Sequence, residues 1–203
     1  RATVRRPMST VETNRASLLT LPVAAPPGVA AEAFARLASL AVRACEGRNP
    51  AHDALHVARV TRLAGVLARA EGADETVCVL AALLHELINL PKHHPDSARS
   101  GDLCAVEVER VLAAEGLDPS LVARVVACVR DHAFSKGALP EALEARVLQD
   151  ADRLDALGAV GVARCMATCA ETGTPFYRPE DPLCVSRVPD DKRWGLDHFY
   201  RKL

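Results

Sequence analysis

The stretch from Asp74 to Leu90, DETVCVLAALLHELINL, constrains this chain most. It is apolar almost throughout, opens on a helix-capping aspartate and runs into Pro91, which bars helical continuation. Neither it nor any other apolar run reaches the ~20 residues a membrane span needs. The run therefore reads as a helix inside a folded domain, carrying His85 and Glu86 side by side. Such a polar pair would cost several kcal/mol if buried without partners.

The remaining periodic segments are helical as well. A first helix is expected from Val29 to Glu46, then the loop GRNPA. HDALHVARVTRLAGVLARAEG follows, with Leu55, Ala58, Leu63, Val66 and Leu67 along one face and Gly72 as its stop. Two more helices are expected at Leu103–Glu115 and Pro119–His132, with FSKGALP as a connector. ALEARVLQDADRLDALGAVGVARCMATCAETG is one long helix or two stacked pieces, and a short helix closes the chain. Ala, Leu and Val dominate while aromatics make up 3%, which favours a helical bundle over a sandwich. The class is all-α. Residues 29–203 are expected to form one domain, a size sufficient for a sizeable core. Residues 1–28 are expected to be a disordered leader, or a remnant preceding a start at Met8.

The net charge of −1 argues against a partner that is a nucleic-acid polymer or an acidic membrane. An anionic ligand has to be held by a local basic site. Seven cysteines show no C-x-x-C pair, and most lie in apolar helical runs. That pattern points to a reducing, cytoplasmic setting.

Ligand-type side chains gather in three places. The second helix opens with His52, Asp53 and His56, with Arg59 one turn beyond; the third carries His85 and Glu86; the long segment carries Asp150, Asp152, Arg153 and Asp155. Each cluster alone is ordinary, since histidines cap helices and acid runs face water. Together they are how bundles build metal sites from inward-facing His and carboxylate groups. Nitrogen and oxygen donors without thiolate suit Mn2+, Mg2+, Fe2+, Co2+ or Zn2+. One divalent ion is expected, with Mn2+ or Mg2+ foremost.

H-x-x-R-V, HE after ALL, and DADRLDALGAVGVAR together resemble the HD-domain metal-dependent phosphohydrolase superfamily. AHDALHVARV, PKHHPDSARS, DHAFSKG and DDKRWGLDHFYRKL, in order, are similar to stand-alone bacterial members of the YedJ and YpgQ type. The resemblance spans Pro50 to Leu203. It implies an HD-domain helical bundle that hydrolyses phosphate esters or anhydrides, and nucleoside triphosphates cleaved to monophosphate and pyrophosphate. It places the metal on His56, His85, Asp152 and position 86, where the family's His-Asp pair has Asp and this chain has Glu86. It also implies further helical sequence beyond HFYRKL, so a C-terminally truncated domain is expected.

Asp53 or Asp155 is the candidate to orient a water or accept its proton. Arg59, Lys92, His94, Arg99, His132 and Arg153 are the candidates to contact an anionic substrate, probed best by guanidinium forks and point charges. Glu86 extends the aspartate arm by about 1.5 Å, against a site tolerance of roughly 0.5 Å. It has to refold its arm and still ligate, shift the metal, or act through a bridging water. If the helices keep the family's spacing, Glu86→Asp is expected to bind metal at least as well and to hydrolyse faster; if the backbone has adapted to glutamate, the change is expected to leave a gap and weaken both. The neighbouring motif residues look unadapted, which favours the first. Two other readings stand beside the enzyme: a degenerate HD domain that senses a nucleotide without turnover, and a structural helical interaction domain.

Overall fold

A computed structural model describes residues 23–90, 94–96, 99–132 and 139–202. Residues 1–22 of the expected leader, Lys92 and most of the FSKGALP connector lie outside the described residues, while Val23 and Ala25 of the leader's end pack against the core. The described chain is all-α, in the order α1 (Ala31–Ala44), a 3-10 turn (Pro50–His52), α2 (Ala54–Glu71), α3 (Glu75–Leu84), α4 (Ser100–Ala114), α5 (Pro119–Asp131), α6 (Leu143–Leu154), α7 (Gly158–Thr172) and α8 (Asp197–Lys202).

Helix α3 is the hub. Every residue from Val77 to Leu84 is buried, and α1, α2, α5 and α6 pack around it. Leu80 and Leu84 join Leu37 of α1, Val60 of α2, Val125 and Val129 of α5 and Leu148 of α6 in one core, while α4 closes over α5 with Val108 and Leu112. Local chemistry sets the starts and stops. Asp74 accepts from Thr76 N and Val77 N to begin α3, and Asp118 does the same for α5 from Ser120 N and Leu121 N. Gly72 ends α2 in the left-handed region at φ 71°.

The sequence pattern carries the third helix to Leu90, but α3 stops at Leu84. Side chains take the carbonyls that a longer helix would use. Cys104 Sγ donates to Leu84 O and His85 O at 3.4 and 3.3 Å, and Arg48 Nη1 donates to Glu86 O at 2.7 Å. His85 and Glu86 thus sit in a turn just past a buried helix, free to point along its axis.

The long C-terminal pattern resolves into two helices. Asp155 caps the end of α6, and α7 starts at Gly158 with φ 62°. The corner is tight: a Cβ on Gly161 would lie 2.0 Å from the Ala156 carbonyl, so only glycine fits there. This corner brings Arg164 of α7 back against Asp155. Beyond α7, the chain folds over it through Gly195 N and Leu196 N, which donate to Pro175 O and Phe176 O.

Candidate metal centre

The site lies where the start of α2, the end of α3 and the end of α6 meet. Asp53 caps α2, its Oδ1 accepting from Leu55 N and His56 N at 3.0 Å each. That bond fixes the first turn and directs His56 inward, where its side chain is fully buried.

Each ring nitrogen of His56 has a defined task. Nδ1 lies 2.8 Å from Asp155 Oδ2, and Asp155 also accepts from Arg59 Nε at 2.6 Å and Arg59 Nη2 at 2.9 Å, while Arg164 Nη1 lies 3.0 Å from Oδ2 and donates to the Asp155 main-chain carbonyl at 3.1 Å. Burial pushes the Asp155 carboxyl up, but the bonds from His56 and Arg59 outweigh it and hold the group at about 2. Asp155 is therefore an acceptor, His56 Nδ1 carries the proton, and Nε2 presents a lone pair. His85 is fixed the same way. Its Nδ1 lies 2.6 Å from Ala82 O, a carbonyl with no proton to give, so its Nε2 is also a lone pair.

These two lone pairs face each other. His56 Nε2 and His85 Nε2 are 3.3 Å apart, and Asp152 Oδ1 is 3.5 Å from His56 Nε2. Neighbouring ligands about 2.1 Å from one ion are separated by about 3.0 Å at right angles and about 3.4 Å in a tetrahedron. Burial pushes the His56 pKa down, which disfavours a proton as the cation between the rings. The donor set fits a divalent metal ion.

Glu86 Oε1 stands 3.9 Å from His56 Nε2 and 4.0 Å from His85 Nε2. Among the described residues, two overlapping trios have metal-like spacing, His56–His85–Asp152 and His52–His56–Glu86. His56 has a single lone pair at Nε2, so both cannot be filled at once. The structure fits one ion.

The expected residues fall into three groups. His56, His85, Glu86, Asp152, Asp155 and Arg59 come together, and the His132 ring stands edge-on to His85 with centroids 5.5 Å apart. His132 Nδ1 is 2.7 Å from Val129 O, and burial pushes its pKa down, so it is a neutral ring. Asp53 or Asp155 is the sequence's candidate to orient a water or accept its proton; in the structure Asp53 Oδ1 accepts from two N–H groups of the helix start, and Asp155 faces His56 and two arginines. His94 and Arg99 make their contacts within their own loop, through Asp96. Arg153 is half-buried next to Asp152 on α6.

Three residues were missed in the sequence: Arg48, Asn89 and Arg164. Arg48 and Asn89 reach the Glu86 carboxylate, as His52 does, and Arg164 sends Nε to Ala51 O at 2.7 Å and Nη2 to within 3.5 Å of His56 Nε2. Arg164 had a signal: an arginine inside the small, apolar run GAVGVAR needs a buried partner. Arg48 and Asn89 had none.

The HD domain family matches residues 54–157, the span that supplies His56, His85, Glu86, Asp152 and Asp155. The chain is 34% identical to the uncharacterized protein YpgQ of Bacillus subtilis (strain 168) over 156 residues, 75% of this chain and 68% of that protein. The crystal structure of Bacillus subtilis YpgQ in complex with ADP superposes with a TM-score of 0.62 at 31% identity, covering 85% of this chain and 77% of YpgQ. A Lactobacillus plantarum protein of known structure gives a TM-score of 0.67 at 27% identity, covering 86% and 82%. A predicted HD superfamily hydrolase from an uncultured Thermotogales bacterium gives 0.54 at 30%, covering 72% and 79%. By the match over residues 54–157 and its identity to YpgQ, the chain belongs to the HD-domain family.

Proposed function

We propose that this chain is a metal-dependent phosphohydrolase acting on a nucleotide or a similar small phosphorylated molecule. The observation that carries the proposal is the pair of imidazole lone pairs converging at 3.3 Å beside Asp152. His56, His85 and Asp152 would hold one divalent ion, Mn2+ or Mg2+ foremost, with Glu86 at its edge. Bound there, such an ion would lower the pKa of a water and polarise a phosphoryl oxygen.

The chain's own residues do the rest. Asp155 keeps the His56 proton on Nδ1, and Arg59 keeps Asp155 ionised. Arg164 Nη2 places positive charge beside the ligand atoms, where phosphoryl charge would develop. Lys92, His94, Arg99 and Arg153 are the further proposed contacts to substrate, and His132 borders the site through His85. ADP in the YpgQ crystal supports a nucleotide as ligand class. Cleavage of a nucleoside triphosphate to monophosphate and pyrophosphate is the specific reaction proposed, in the cytoplasm.

The test is release of phosphate and pyrophosphate from a panel of nucleoside di- and triphosphates with added Mn2+, with chelator and His85→Ala as controls. Chelator-sensitive pyrophosphate release is expected. Nucleotide-induced stabilisation with no product would instead support a nucleotide sensor, a reading favoured by the 3.9–4.0 Å that separates Glu86 Oε1 from both histidines.

A further inference from the structure

The Glu86 carboxylate is met from three directions. Arg48 Nη1 donates to Oε2 at 3.1 Å, and Asn89 Nδ2 donates to the same oxygen at 2.6 Å. His52 Nδ1 lies 3.1 Å from Oε1. Arg48 is itself anchored, because Nη1 also donates to Glu86 O at 2.7 Å and Nη2 to Leu87 O at 3.4 Å. Both side chains are largely buried, Arg48 at 18% and Glu86 at 10% exposure. Oε2 is thus taken up by two donors, and Oε1 stands 3.9 Å from His56 Nε2 and 4.0 Å from His85 Nε2.

The arm length explains the arrangement. Aspartate at position 86 would withdraw the carboxylate by about 1.5 Å. Arg48 is pinned by two main-chain carbonyls and Asn89 stands on the same turn as Glu86. Neither can follow the retreat, and their donors would lose the carboxylate. The loop GRNPAH, which supplies Arg48 and His52, is therefore fitted to glutamate. This reverses the expectation from the sequence that the neighbourhood is unadapted and that Glu86→Asp should bind metal at least as well.

Resting on the phosphohydrolase reading, we propose that Arg48 is a positioning residue which, with Asn89, holds Glu86 Oε2 so that Oε1 alone serves the metal centre.

The competing explanation is that Arg48 merely caps the end of α3. The two differ in whether its effect depends on the side chain at position 86. Full-chain wild type, Arg48→Met, Arg48→Lys, Glu86→Asp and Arg48→Met/Glu86→Asp would be compared by Mn2+ affinity, titrated against a chromogenic chelator, and by melting temperature without added metal. Loss of a residue supporting a metal ligand typically weakens affinity about 10–100-fold. Arg48→Met and Glu86→Asp are each expected to show a loss in that range, and the double variant to be little weaker than the worse single. Arg48→Lys keeps the charge without the fork and is expected to fall between wild type and Arg48→Met.

The proposal is overturned by Glu86→Asp binding Mn2+ as tightly as wild type, or by losses that multiply in the double variant. Failure of the enzymatic reading looks different. A wild type that binds Mn2+ and leaves every nucleotide intact removes the hydrolase and leaves the Arg48–Glu86 coupling standing on affinity. If no Mn2+ binds, the ligand role falls with the hydrolase.

Discussion

His56 Nε2 and His85 Nε2 point at each other across 3.3 Å, each turned there by a bond from its own Nδ1. The two restraints differ in kind. His85 leans on a backbone carbonyl one turn back in its own helix, whereas His56 depends on Asp155, which is 99 residues away in the chain. The second restraint can be removed without touching a metal ligand.

Asp155→Asn is accordingly expected to weaken Mn2+ binding about 10–100-fold. An asparagine that keeps its oxygen toward His56 points its NH2 at Arg59 Nε, and one that turns the other way faces His56 Nδ1 with a donor. The latter drives the proton to Nε2 and removes the lone pair. Isothermal titration with Mn2+ checks this. Wild-type affinity in the variant would mean that Asp155 serves the arginines alone.

His85→Ala removes a proposed ligand outright. The expected outcome is less than stoichiometric metal after purification with Mn2+, and loss of the metal-induced rise in melting temperature, since an ion that binds only the folded state stabilises it. Equal metal content in variant and wild type would place the ion elsewhere.

The fold was largely legible because its signals are local. Apolar periodicity, capping aspartates and Gly72 are each read within a few residues, and helices α1 to α7 fall close to where those signals put them. The exceptions mark long-range contacts. No local signal ends α3 at Leu84, because its carbonyls are claimed by Cys104 and Arg48 from other parts of the chain. The site shows the same division. His56, His85 and Asp152 stand in motif positions, but the grip of Arg48 and Asn89 on Glu86 exists only once GRNPAH has folded over the end of α3. The spacing of Asp155 from Asp152 put the two on one helical face, and its partner His56 was invisible from that spacing.

The central helix allows the fold and the site to be perturbed separately. Leu80 is fully buried in the middle of α3, more than one turn before His85. Leu80→Ala is expected to cost about 3 kcal/mol through lost burial and the cavity left behind. Mn2+ affinity at 25 °C should stay within a few-fold of wild type in the fraction that is folded. Urea denaturation and metal titration of the same preparation check both halves. A destabilisation below ~1 kcal/mol would mean that the core around α3 collapses to fill the gap.

The C-terminal segment depends on one buried ion pair, and that makes its stability sensitive to acid. Asp197 is fully buried, accepts from both terminal nitrogens of Arg187, and takes Asp190 N at 2.7 Å. The Arg187 bonds, opposed by burial and helped by Asp190 N, hold its carboxyl at about 2, below the ~3.9 of an unfolded aspartate. A depressed carboxyl contributes stability that is complete above the unfolded value and is lost as pH falls toward the folded one. The segment should therefore loosen between about pH 4 and pH 2. Trp194, the chain's one tryptophan, lies three residues before Asp197 and donates its backbone N–H to Asp190 O at 3.0 Å, so its fluorescence reports this segment. Asp197→Asn keeps the shape but strands the Arg187 charge, and breaking such a pair costs roughly 3–5 kcal/mol. The variant is expected to show red-shifted Trp194 emission already at pH 7, with a smaller further change on acidification. Asp191, paired with His198 and Arg201, remains in both proteins and sets the residual acid response. Native-like emission at pH 7 and an unaltered acid transition in the variant would assign the fastening of this segment to Asp191 in place of Asp197.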